Sequence, residues 1–503
     1  MKDTRISRAK RNIAASFFNQ LICTLCGIIV PRVMIGAFGS VVYGATTSIA
    51  KFLSYISVLE GGIGWVARAA LYAPLAQRDE RQISRVYHAV RRFFSNVGLA
   101  FLIYTLALSL VYHDIGKIEV FSRDYTFLLV WAISFTTVAK YLWGLPNITL
   151  LNADQKQYIT SSVIMATTVI NVLLIVILTQ MGCNVVIVKL CSSLVFVVRP
   201  LILWCYVKMH YNLARVPKDK TVLQQKWTGL SQHLAYTIHT NTDVVILTLF
   251  ADLRLVSVYS VYYLVINSIR SIAGSFASGM EAVFGEIIAR GEQQRLQSTY
   301  RQYKLMLSMV CMVLFGAAAI LIVPFVRLYT AGISDANYIQ PVFAGVLLLA
   351  EGVNCIMLPC TTLPVSANRL RQTRWGAYGE ALLNLGTSCV LVLWNPLVGV
   401  ALGTLMAVLF KSVFYMTYAA RHILRCRPGA MGLRFVLTIC CWGMVWALGM
   451  WVIQSVQIEN FFQWIIAGIL VVALMGILSL LTNWAMYPTE MKNLVRSVVR
   501  KIR

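Results

Sequence analysis

Long apolar runs separated by short polar segments dominate the sequence and recur along almost its whole length. A transmembrane helix needs roughly 20 predominantly apolar residues to cross the hydrocarbon core of a bilayer. Runs of that length predict about fourteen transmembrane helices. They are centred in residues 13–31, 41–60, 93–112, 126–150, 161–181, 184–206, 234–251, 256–278, 305–326, 341–361, 376–394, 397–420, 433–455 and 461–483.

The first apolar run follows a basic segment, an order that is also typical of a secretory signal peptide. Its length approaches that of a spanning helix, however, and no cleavage site of small residues follows it. We therefore expect residues 13–31 to be retained as the first helix.

Lys and Arg residues are concentrated in alternate connecting segments. The intervening loops, among them 113–125 and 327–340, are short and nearly balanced in charge. Because cytoplasmic loops carry an excess of Lys and Arg, this alternation predicts that both termini lie in the cytoplasm. The basic segments are the N-terminus, 67–92, 207–233, 285–304, 362–375, 421–434 and the C-terminal tail.

A faint internal repeat divides the helices into two halves. Residues 42–44 (VYG) open the second helix and 258–260 (VYS) the eighth, and at the same offset 85–87 (RVY) matches 301–303 (RQY). Since six helices separate the matching positions, the halves share one orientation, as in transporters with parallel repeats around a central cavity. The sequence thus predicts an all-α polytopic membrane protein of two six-helix lobes around a central cavity, plus two C-terminal helices. The predicted domains are a first lobe (1–206), a basic cytoplasmic linker (207–233), a second lobe (234–420), and two extra helices with a basic tail (421–503).

Composition supports the membrane assignment. Hydrophobic residues make up 58% of the 503 residues and charged residues only 13%, and the mean hydropathy is +0.71. The net charge of +25 could indicate nucleic-acid binding. The bases lie in short clusters between apolar runs, however, so membrane topology accounts for them and no nucleic-acid partner is expected. The twelve cysteines are scattered, and the C-x-x-C of Cys23 and Cys26 lies within an apolar stretch, which favours packing over metal or redox chemistry.

Several charged residues lie inside the predicted spans, where each costs at least about 2.5–3.5 kcal/mol on insertion scales. Such residues usually face a water-filled cavity or a partner. On an α-helical wheel, Lys51 shares its face with Tyr55 and Val58, whereas Glu60 lies nearly opposite. The charged positions are Lys51 in the second predicted helix, Lys140 in the fourth, Asp243 in the seventh, Arg270 in the eighth, Glu351 in the tenth, Glu380 in the eleventh and Lys411 in the twelfth.

Each of these charges has a structural alternative to a functional role. Long basic side chains near a membrane interface can extend to the headgroups or form structural ion pairs, which is an alternative for Arg270 and Lys411 and also for Lys51 and Lys140. Asp243 and Glu351 could make buried hydrogen bonds between helices instead of coupling transport to an ion. Glu380 is a further candidate for ion coupling or gating.

The stretch VLEGGIGWVARAAL places Glu60, Gly64 and Arg68 four residues apart, where the second helix meets the cytoplasm. With that spacing they lie along one face of a continuous helix. One interpretation is a structural Glu60–Arg68 pair, and the other is a gate at the inner mouth. The glycines allow close helix packing or a bend.

Bases that face one cavity from several helices would suit an anion, and a phosphate or pyrophosphate group is the natural candidate. Acidic cavity residues would instead suit cationic drugs or sodium. The charges within the spans are mixed, with more bases in the first half, so the pattern favours an anion without deciding the question.

Several stretches resemble the Wzx-type polysaccharide flippases, which belong to the multidrug/oligosaccharidyl-lipid/polysaccharide exporter superfamily. Residues 31–79 resemble the first two helices of that family, and 150–162 (LLNADQKQYITSS) the cytoplasmic turn after its fourth helix. Residues 242–265 resemble its seventh and eighth helices, and 379–392 (GEALLNLGTSCVLV) its eleventh. These motifs are loose hydrophobic patterns that run in order over most of the chain, so they indicate fold and class but not the substrate.

The resemblance implies a MATE-like bundle that works by alternating access. It would move an undecaprenyl-pyrophosphate-linked oligosaccharide, a polysaccharide or O-antigen repeat unit, across the bacterial inner membrane. By position, Lys51, Lys140 and Arg270 would hold the pyrophosphate, with Arg68 as a further cavity residue. Asp243 matches an acidic position of the family's seventh helix. Many members have twelve helices, so the last two helices here are a departure.

For this function the sequence predicts no catalytic residue, metal or cofactor. The expected partners are the lipid-linked oligosaccharide, membrane lipids, and a polymerase and glycosyltransferases of the same pathway. One alternative is a cation-coupled multidrug exporter of the same fold. Another is a membrane glycosyltransferase or polymerase using the same carrier, although the outer loops are short for such chemistry. A plain lipid scramblase also fits the pattern.

Overall fold

The structure is a computed structural model that describes residues 5–60, 63–214, 230–453, 458–486, 488 and 490–492. In these residues every regular element is a helix. The chain divides into two compact units, Met1–Ser257 and Val258–Arg503. The predicted linker, residues 207–233, lies largely outside the described residues, and the predicted lobe boundaries stay a prediction.

In its described residues, the first unit contains eight complete helices and two short irregular helical segments. A 3₁₀ segment, Tyr55–Glu60, follows the first helix, and a π-helical segment, Lys140–Gly144, follows the fourth. The helices are α1 (Arg5–Ser54), α2 (Ile63–Gln77), α3 (Glu80–Ile115), α4 (Arg123–Ala139), α5 (Leu145–Ala153), α6 (Gln157–Gln180), α7 (Val185–His210) and α8 (Leu230–Phe250).

The next helix, α9 (Leu253–Ala289), begins in the first unit and continues into the second. A second π-helical segment, Ala419–Leu424, directly follows the helix Pro396–Tyr418. The remaining helices are α10 (Gln293–Tyr329), α11 (Pro341–Ile356), α12 (Leu358–Ser366), α13 (Arg374–Leu391), α14 (Pro396–Tyr418), α15 (Pro428–Ile453) and α16 (Phe461–Met486).

Ten helical segments of the described chain are long and apolar enough to cross a membrane. Within the described residues, each of the fourteen predicted spans coincides with helical structure. The first segment, Ala14–Glu60, covers two of them, and α8, α13 and α15 account for the three that the ten segments leave out. Strongly polar buried residues make two of these three helices less apolar, namely His239 and Asp243 in α8 and Glu380 and Asn384 in α13. The predicted all-helical polytopic fold is therefore confirmed.

The first apolar segment bends at Gly39. Its 47 residues would extend over about 70 Å as one straight helix, more than twice the roughly 30 Å of a hydrocarbon core. The backbone of Gly39 leaves helical geometry, with φ of 80° and ψ of 170°. Only glycine adopts that conformation at little cost, because it has no Cβ atom. The two predicted spans are therefore separated at a glycine and not by a polar loop.

Polar caps begin several helices after the short connections. The side chain of Ser122 accepts from the backbone N–H of Tyr125 at the start of α4, and Asn184 accepts from Ile187 at the start of α7. Each cap satisfies one of the backbone donors that a helix start leaves without a partner. The caps therefore fix where the chain re-enters the apolar region.

Close backbone contact joins α13 to α14. A Cβ atom built on Gly403 would lie 2.1 Å from Oγ and 2.7 Å from the backbone nitrogen of Ser388, and one on Gly399 would lie 2.2 Å from the carbonyl oxygen of Leu391. The two glycines are four residues apart on α14, which is the spacing that lets membrane helices pack closely. This contact positions two helices that carry charged residues of the second unit.

The last helix, α16, packs along α10. Ala467, Val471 and Met475 of α16 form a buried cluster with residues of α10, including Met312 and Leu321. The opposite face of α16 carries exposed apolar side chains, such as Ile469 and Leu470, each about two-thirds exposed. An apolar face of this kind suits contact with lipid, so the final helix is an integral part of the second unit.

Candidate functional site

Lys51 lies in the last turn of α1, where this helix runs beside α8. Its Nζ donates to the backbone carbonyl of Thr240 at 2.9 Å. On either side, the hydroxyl groups of Ser48 and Thr248 lie 2.6 Å apart, and those of Tyr55 and Thr242 lie 3.0 Å apart. The half-buried ammonium group of Lys51 is thus held at a polar seam between two helices.

The helix changes type directly after Lys51. From Tyr55 to Glu60 the chain forms a 3₁₀ helix, and two side chains contact backbone carbonyls around it. The hydroxyl of Tyr104 donates to Phe52 at 2.8 Å, and Nε2 of His233 lies 2.7 Å from the carbonyl oxygen of Ser57. A 3₁₀ stretch inside a longer helix often marks a hinge. The predicted α-helical wheel around Lys51 therefore applies only as far as Ser54.

Glu60 ends the 3₁₀ segment and meets two consecutive residues of the π-helical segment. Nζ of Lys140 donates to Oε1 of Glu60 at 2.9 Å, and the hydroxyl of Tyr141 donates to the same oxygen at 2.6 Å. The side chain of Lys140 is 45% exposed and that of Glu60 is 20% exposed. This ion pair joins two turns that both depart from α-helical geometry.

The π turn itself is held by tight packing. Tyr141 is buried beside the rings of Phe94 and Phe101 on α3. A Cβ atom on Gly98 would lie 3.3 Å from the Cβ atom of Tyr141, so the two backbones approach closely. Single π turns inside helices occur frequently at functional sites. Here the π turn directs two successive polar side chains toward Glu60.

Arg68 lies on a separate helix from Glu60. Glu60 belongs to the 3₁₀ segment and Arg68 to α2, and the intervening Gly61 and Gly62 lie outside the described residues. Nε of Arg68 donates to the carbonyl oxygen of Gly64 at 3.1 Å. The predicted continuous helical face from Glu60 to Arg68 is therefore wrong, because the α-helix that would create it does not extend through Glu60.

Asp243 is almost completely buried on α8, with 2% of its surface exposed. It follows Thr242, which bonds to Tyr55, and lies four residues after the buried His239. Because burying a carboxylate in a membrane span is costly, its position within the α1–α8 seam marks this seam as a candidate for function.

The second unit contains a connected network of charged and polar side chains, which we call the second-unit network. Nη1 of Arg270 on α9 donates to Oε1 of Glu351 on α11 at 3.0 Å and to the hydroxyl of Tyr263 at 2.9 Å. The side chain of Arg270 is 14% exposed and that of Glu351 is 1% exposed. A buried pair of this kind is tolerated because each charge has a hydrogen-bonded partner of opposite sign.

An asparagine extends this network to α13 and α14. Nδ2 of Asn354 donates to the second oxygen of Glu351 at 3.2 Å, while its Oδ1 accepts from Nζ of Lys411 at 3.4 Å. Nζ of Lys411 also donates to Glu380 at 2.9 Å. The four charged side chains named here are two bases and two acids, whose formal charges cancel.

The structure brings the predicted site residues together in two groups. Glu60 joins Lys140 in the first unit, and Arg270 joins Glu351 in the second. Glu380 enters the second group through Lys411. Lys51 and Asp243 lie along the α1–α8 seam, and Arg68 lies on α2.

Three polar residues that bond to the charged site residues were not identified from the sequence. Tyr141 is adjacent to Lys140 and reaches the same carboxylate. Asn354 is three residues after Glu351, and Tyr263 is seven residues before Arg270, so both share a helical face with a charged residue. A search for polar residues at these spacings would have found the last two.

No protein-family model matches the sequence, and no curated protein sequence matches it. The fold is nevertheless found among solved structures. The lipid II flippase MurJ, in an inward closed conformation, superposes with a TM-score of 0.66 over 94% of this chain and 99% of its own, at 14% identity.

MATE transporters share the fold over a smaller part of the chain. The MATE multidrug transporter DinF-BH has a TM-score of 0.63 over 84% of this chain and 96% of its own, at 14% identity. The eukaryotic MATE transporter AtDTX14 has a TM-score of 0.58 over 88% of this chain and 98% of its own, at 11% identity. This multi-pass membrane protein thus has the fold shared by the lipid II flippase MurJ and MATE transporters.

Proposed function

We propose that this protein is a flippase that carries an undecaprenyl-pyrophosphate-linked oligosaccharide from the inner to the outer leaflet of the bacterial inner membrane by alternating access. The fold supports a transporter or flippase, because the structures that share it carry those names. Both termini would lie in the cytoplasm, as the distribution of basic loops predicts. A polymerase and glycosyltransferases would act on the same carrier.

The observation that carries this proposal is the extent of the match to the lipid II flippase. A match over 94% of 503 residues leaves about 30 residues unmatched, which is fewer than α15 and α16 contain together. It therefore extends into the last two helices. Matches to the two MATE transporters cover 84% and 88% of the chain. The longer shared architecture favours a lipid-linked substrate over a drug.

Lys140 is the best-placed base for a first contact with the pyrophosphate. Its side chain is 45% exposed, against 14% for Arg270 and 20% for Lys411. Its partner Glu60 is a monovalent carboxylate, and a pyrophosphate carries more negative charge, so it would compete well for the ammonium group. The 3₁₀ and π turns beneath the pair could change geometry during that exchange. Lys51, Arg68 and Arg270 are the further proposed contacts.

The buried carboxylates Asp243, Glu351 and Glu380 are the proposed elements for ion coupling or gating. Each is at most 3% exposed. A proton or cation that neutralised Glu351 would weaken its bond to Arg270 and release that base toward the substrate. In this scheme the coupling ion and the substrate would be linked because Glu351 and the substrate compete for Arg270, and no separate ion site would be needed.

The second candidate function is a cation-coupled multidrug exporter. The same three buried carboxylates favour it, since acidic residues in a span suit cationic substrates and coupling ions. The shared fold of DinF-BH, a multidrug transporter by name, agrees with this alternative. A membrane glycosyltransferase or polymerase receives no such support, because the structures compared above are named as transporters and flippases.

Reconstitution into proteoliposomes separates the two candidates. A fluorescent undecaprenyl-pyrophosphate oligosaccharide in the outer leaflet is scored by its accessibility to a membrane-impermeant quencher, and uptake of the cationic dye ethidium is measured in parallel. We expect protein-dependent movement of the lipid and no ion-driven dye transport. Dye transport without lipid movement would establish the exporter instead.

A matched pair of lysine variants then tests the proposed site. Lys140→Gln should lower the rate of lipid movement by about tenfold, because one charge-assisted contact is worth roughly 1.5 kcal/mol or more. Lys117→Gln removes the same charge from an exposed position in an outer loop and should leave the rate within about twofold. Equal rates for Lys140→Gln and the unmodified protein would contradict the site assignment but not the flippase proposal.

A further inference from the structure

A cavity of about 230 Å³ lies in the second unit, away from the second-unit network. It is formed where the first turns of α10 meet the end of the π segment that follows α14 and the beginning of α15. Glu490, beyond the end of α16, completes one wall. The positive-inside pattern predicts that all four of these segments end on the cytoplasmic side.

The sequence of α10 sets the depth of this cavity in the membrane. Between Lys304 and Arg327 lie 22 residues without a single Asp, Glu, Lys or Arg. At 1.5 Å per residue they span about 33 Å, which matches the hydrocarbon thickness of roughly 30 Å. Lys304 therefore lies at the edge of the hydrocarbon, and Arg301, one turn earlier, lies at the level of the lipid headgroups.

Three bases line the cavity, namely Arg301, Lys304 and Arg427, against one acid, Glu490. Arg301 and Arg427 are exposed side chains. The cavity therefore has a net positive charge at the depth where phospholipids carry their phosphate groups. Arginine pairs geometrically with phosphate oxygens, which suits recognition of such a group.

The backbone near the cavity is compatible with an anion. The last carbonyl oxygens of a helix form its negative end and would repel a phosphate. At the end of the π segment, the side-chain amide of Gln293 donates to the carbonyls of Ile423 and Leu424 at 2.9 and 3.0 Å. Gln297 donates to Leu424 at 2.7 Å. These amides cover the negative helix end, so the bases dominate the field inside the cavity.

Apolar side chains form another part of the lining, which we call the apolar wall. Leu305, Leu424 and Met431 belong to it and are buried. Leu305 also packs against Met491, which closes that side from within the unit. A ligand that combines a phosphate with a short apolar stem would satisfy both the bases and the apolar wall, whereas a fully water-soluble anion would leave the apolar wall unused.

We propose that this cavity binds the phosphate group of an anionic phospholipid from the cytoplasmic leaflet. Basic pockets between transmembrane helices at this membrane level recognise such headgroups. Phosphatidylglycerol fits the observations, with its phosphodiester between the arginines and its glycerol backbone against Leu305 and Met431. The inference concerns a lipid that stays in its leaflet, so it does not depend on the substrate that the protein transports.

Cys426 provides a reporter inside the cavity. Its side chain is exposed and lines the same cavity as Arg301 and Arg427. The full-length protein is placed in vesicles of phosphatidylcholine, alone or with about a quarter phosphatidylglycerol, and the rate of maleimide labelling at Cys426 is read by mass spectrometry. We expect phosphatidylglycerol to slow the labelling about fivefold or more, and to leave Cys183, in an outer loop, unchanged.

A matched pair of double variants tests the charges. Arg301→Gln with Arg427→Gln should abolish most of the protection of Cys426 by phosphatidylglycerol. Arg290→Gln with Arg295→Gln removes the same charge from exposed pairs on the neighbouring surface and should retain it. Arg301→Lys with Arg427→Lys checks that the site tolerates substitution, and should keep partial protection. Equal loss of protection in both glutamine variants would overturn the proposal, because general surface attraction would then explain the effect.

A test with inorganic phosphate shows whether the cavity binds the phosphate group of a lipid or free phosphate from solution. Millimolar phosphate added to phosphatidylcholine vesicles should leave the labelling rate of Cys426 unchanged, because the free ion gains nothing from the apolar wall. Protection by phosphate equal to that by phosphatidylglycerol would overturn the assignment of a lipid ligand.

Discussion

The two units of this protein each hold an acid–base pair of nearly the same length in contrasting surroundings. Lys140 and Glu60 of the first unit are 2.9 Å apart, and Arg270 and Glu351 of the second are 3.0 Å apart. The first pair connects a 3₁₀ turn to a π turn and is partly exposed. The second connects the regular helices α9 and α11 and is nearly closed off, with Glu351 only 1% exposed.

This contrast assigns different physical roles to similar residues. An ion pair that retains contact with water adds little to stability, because its charges are already well solvated. A buried pair adds little as a whole, but loss of one partner is costly because the other charge stays in a low-dielectric environment. The first pair is therefore suited to opening and closing, and the second to holding helices in register until a change of charge releases them.

The largest expected effect tests the buried pair. Glu351→Leu removes the carboxylate that Arg270 donates to, and should lower the free energy of unfolding by about 3 kcal/mol or more. Thermal unfolding of the purified protein in detergent measures this change. Arg270→Leu combined with Glu351→Leu should recover much of the loss. An unchanged unfolding transition in Glu351→Leu would show that the second pair is no more critical than the first.

An intermediate effect tests the frame that holds the second-unit network. Gly403→Ala places a methyl group against Ser388 of α13 and forces apart the helices that carry Glu380 and Lys411. We expect a loss of about 1–3 kcal/mol in the same unfolding assay. Gly386→Ala on α13 is the control, because a Cβ atom there meets nothing within 4 Å. Equal stability of the two variants would mean that the contact between α13 and α14 is adaptable.

The smallest effect tests the partly exposed pair of the first unit. Glu60→Gln keeps the shape of the side chain and removes its charge, and should cost at most about 1 kcal/mol. Asp114→Asn, which removes the partner of Arg123 from a fully superficial pair, should cost still less. If Glu60→Gln destabilised the protein as much as Glu351→Leu, the distinction between the two units would disappear.

The fold was largely predictable from the apolar runs, because a bilayer demands a helix of defined length from each of them. The runs at 13–31 and 41–60 illustrate the limit of that reasoning. The gap between them, residues 32–40, predicts a connecting loop, whereas in the structure the chain leaves helical geometry there at Gly39. Hydropathy indicates which segments can span the membrane. It does not indicate where the backbone leaves helical geometry, as it does at Gly39.

The candidate site was predictable only in part. The charged positions within the spans could be selected, because charges in a membrane are rare and costly. Their pairing could not, since Lys140 and Glu60 are 80 residues apart and each lies in a helical segment that departs from α geometry. The predicted continuous α-helical face from Glu60 to Arg68 was wrong for the same reason. An assumed periodicity of 3.6 residues fails where the helix changes type.

The degree of burial of each charged side chain also could not be predicted from the sequence. Arg270 and Lys140 look alike as single bases in apolar runs, yet Lys140 is about three times as exposed as Arg270. Asn354 shows the same limit, because its link between Glu351 and Lys411 depends on the packing of α11 against α14.

Gly39 also makes the junction of the first two hydrophobic segments intolerant of other amino acids. Every other residue type carries a Cβ atom, and such residues rarely adopt a φ of 80° with a ψ of 170°. A single codon change there would therefore either strain the backbone or straighten the segment into one helix about 70 Å long, which a hydrocarbon core of roughly 30 Å cannot accommodate upright.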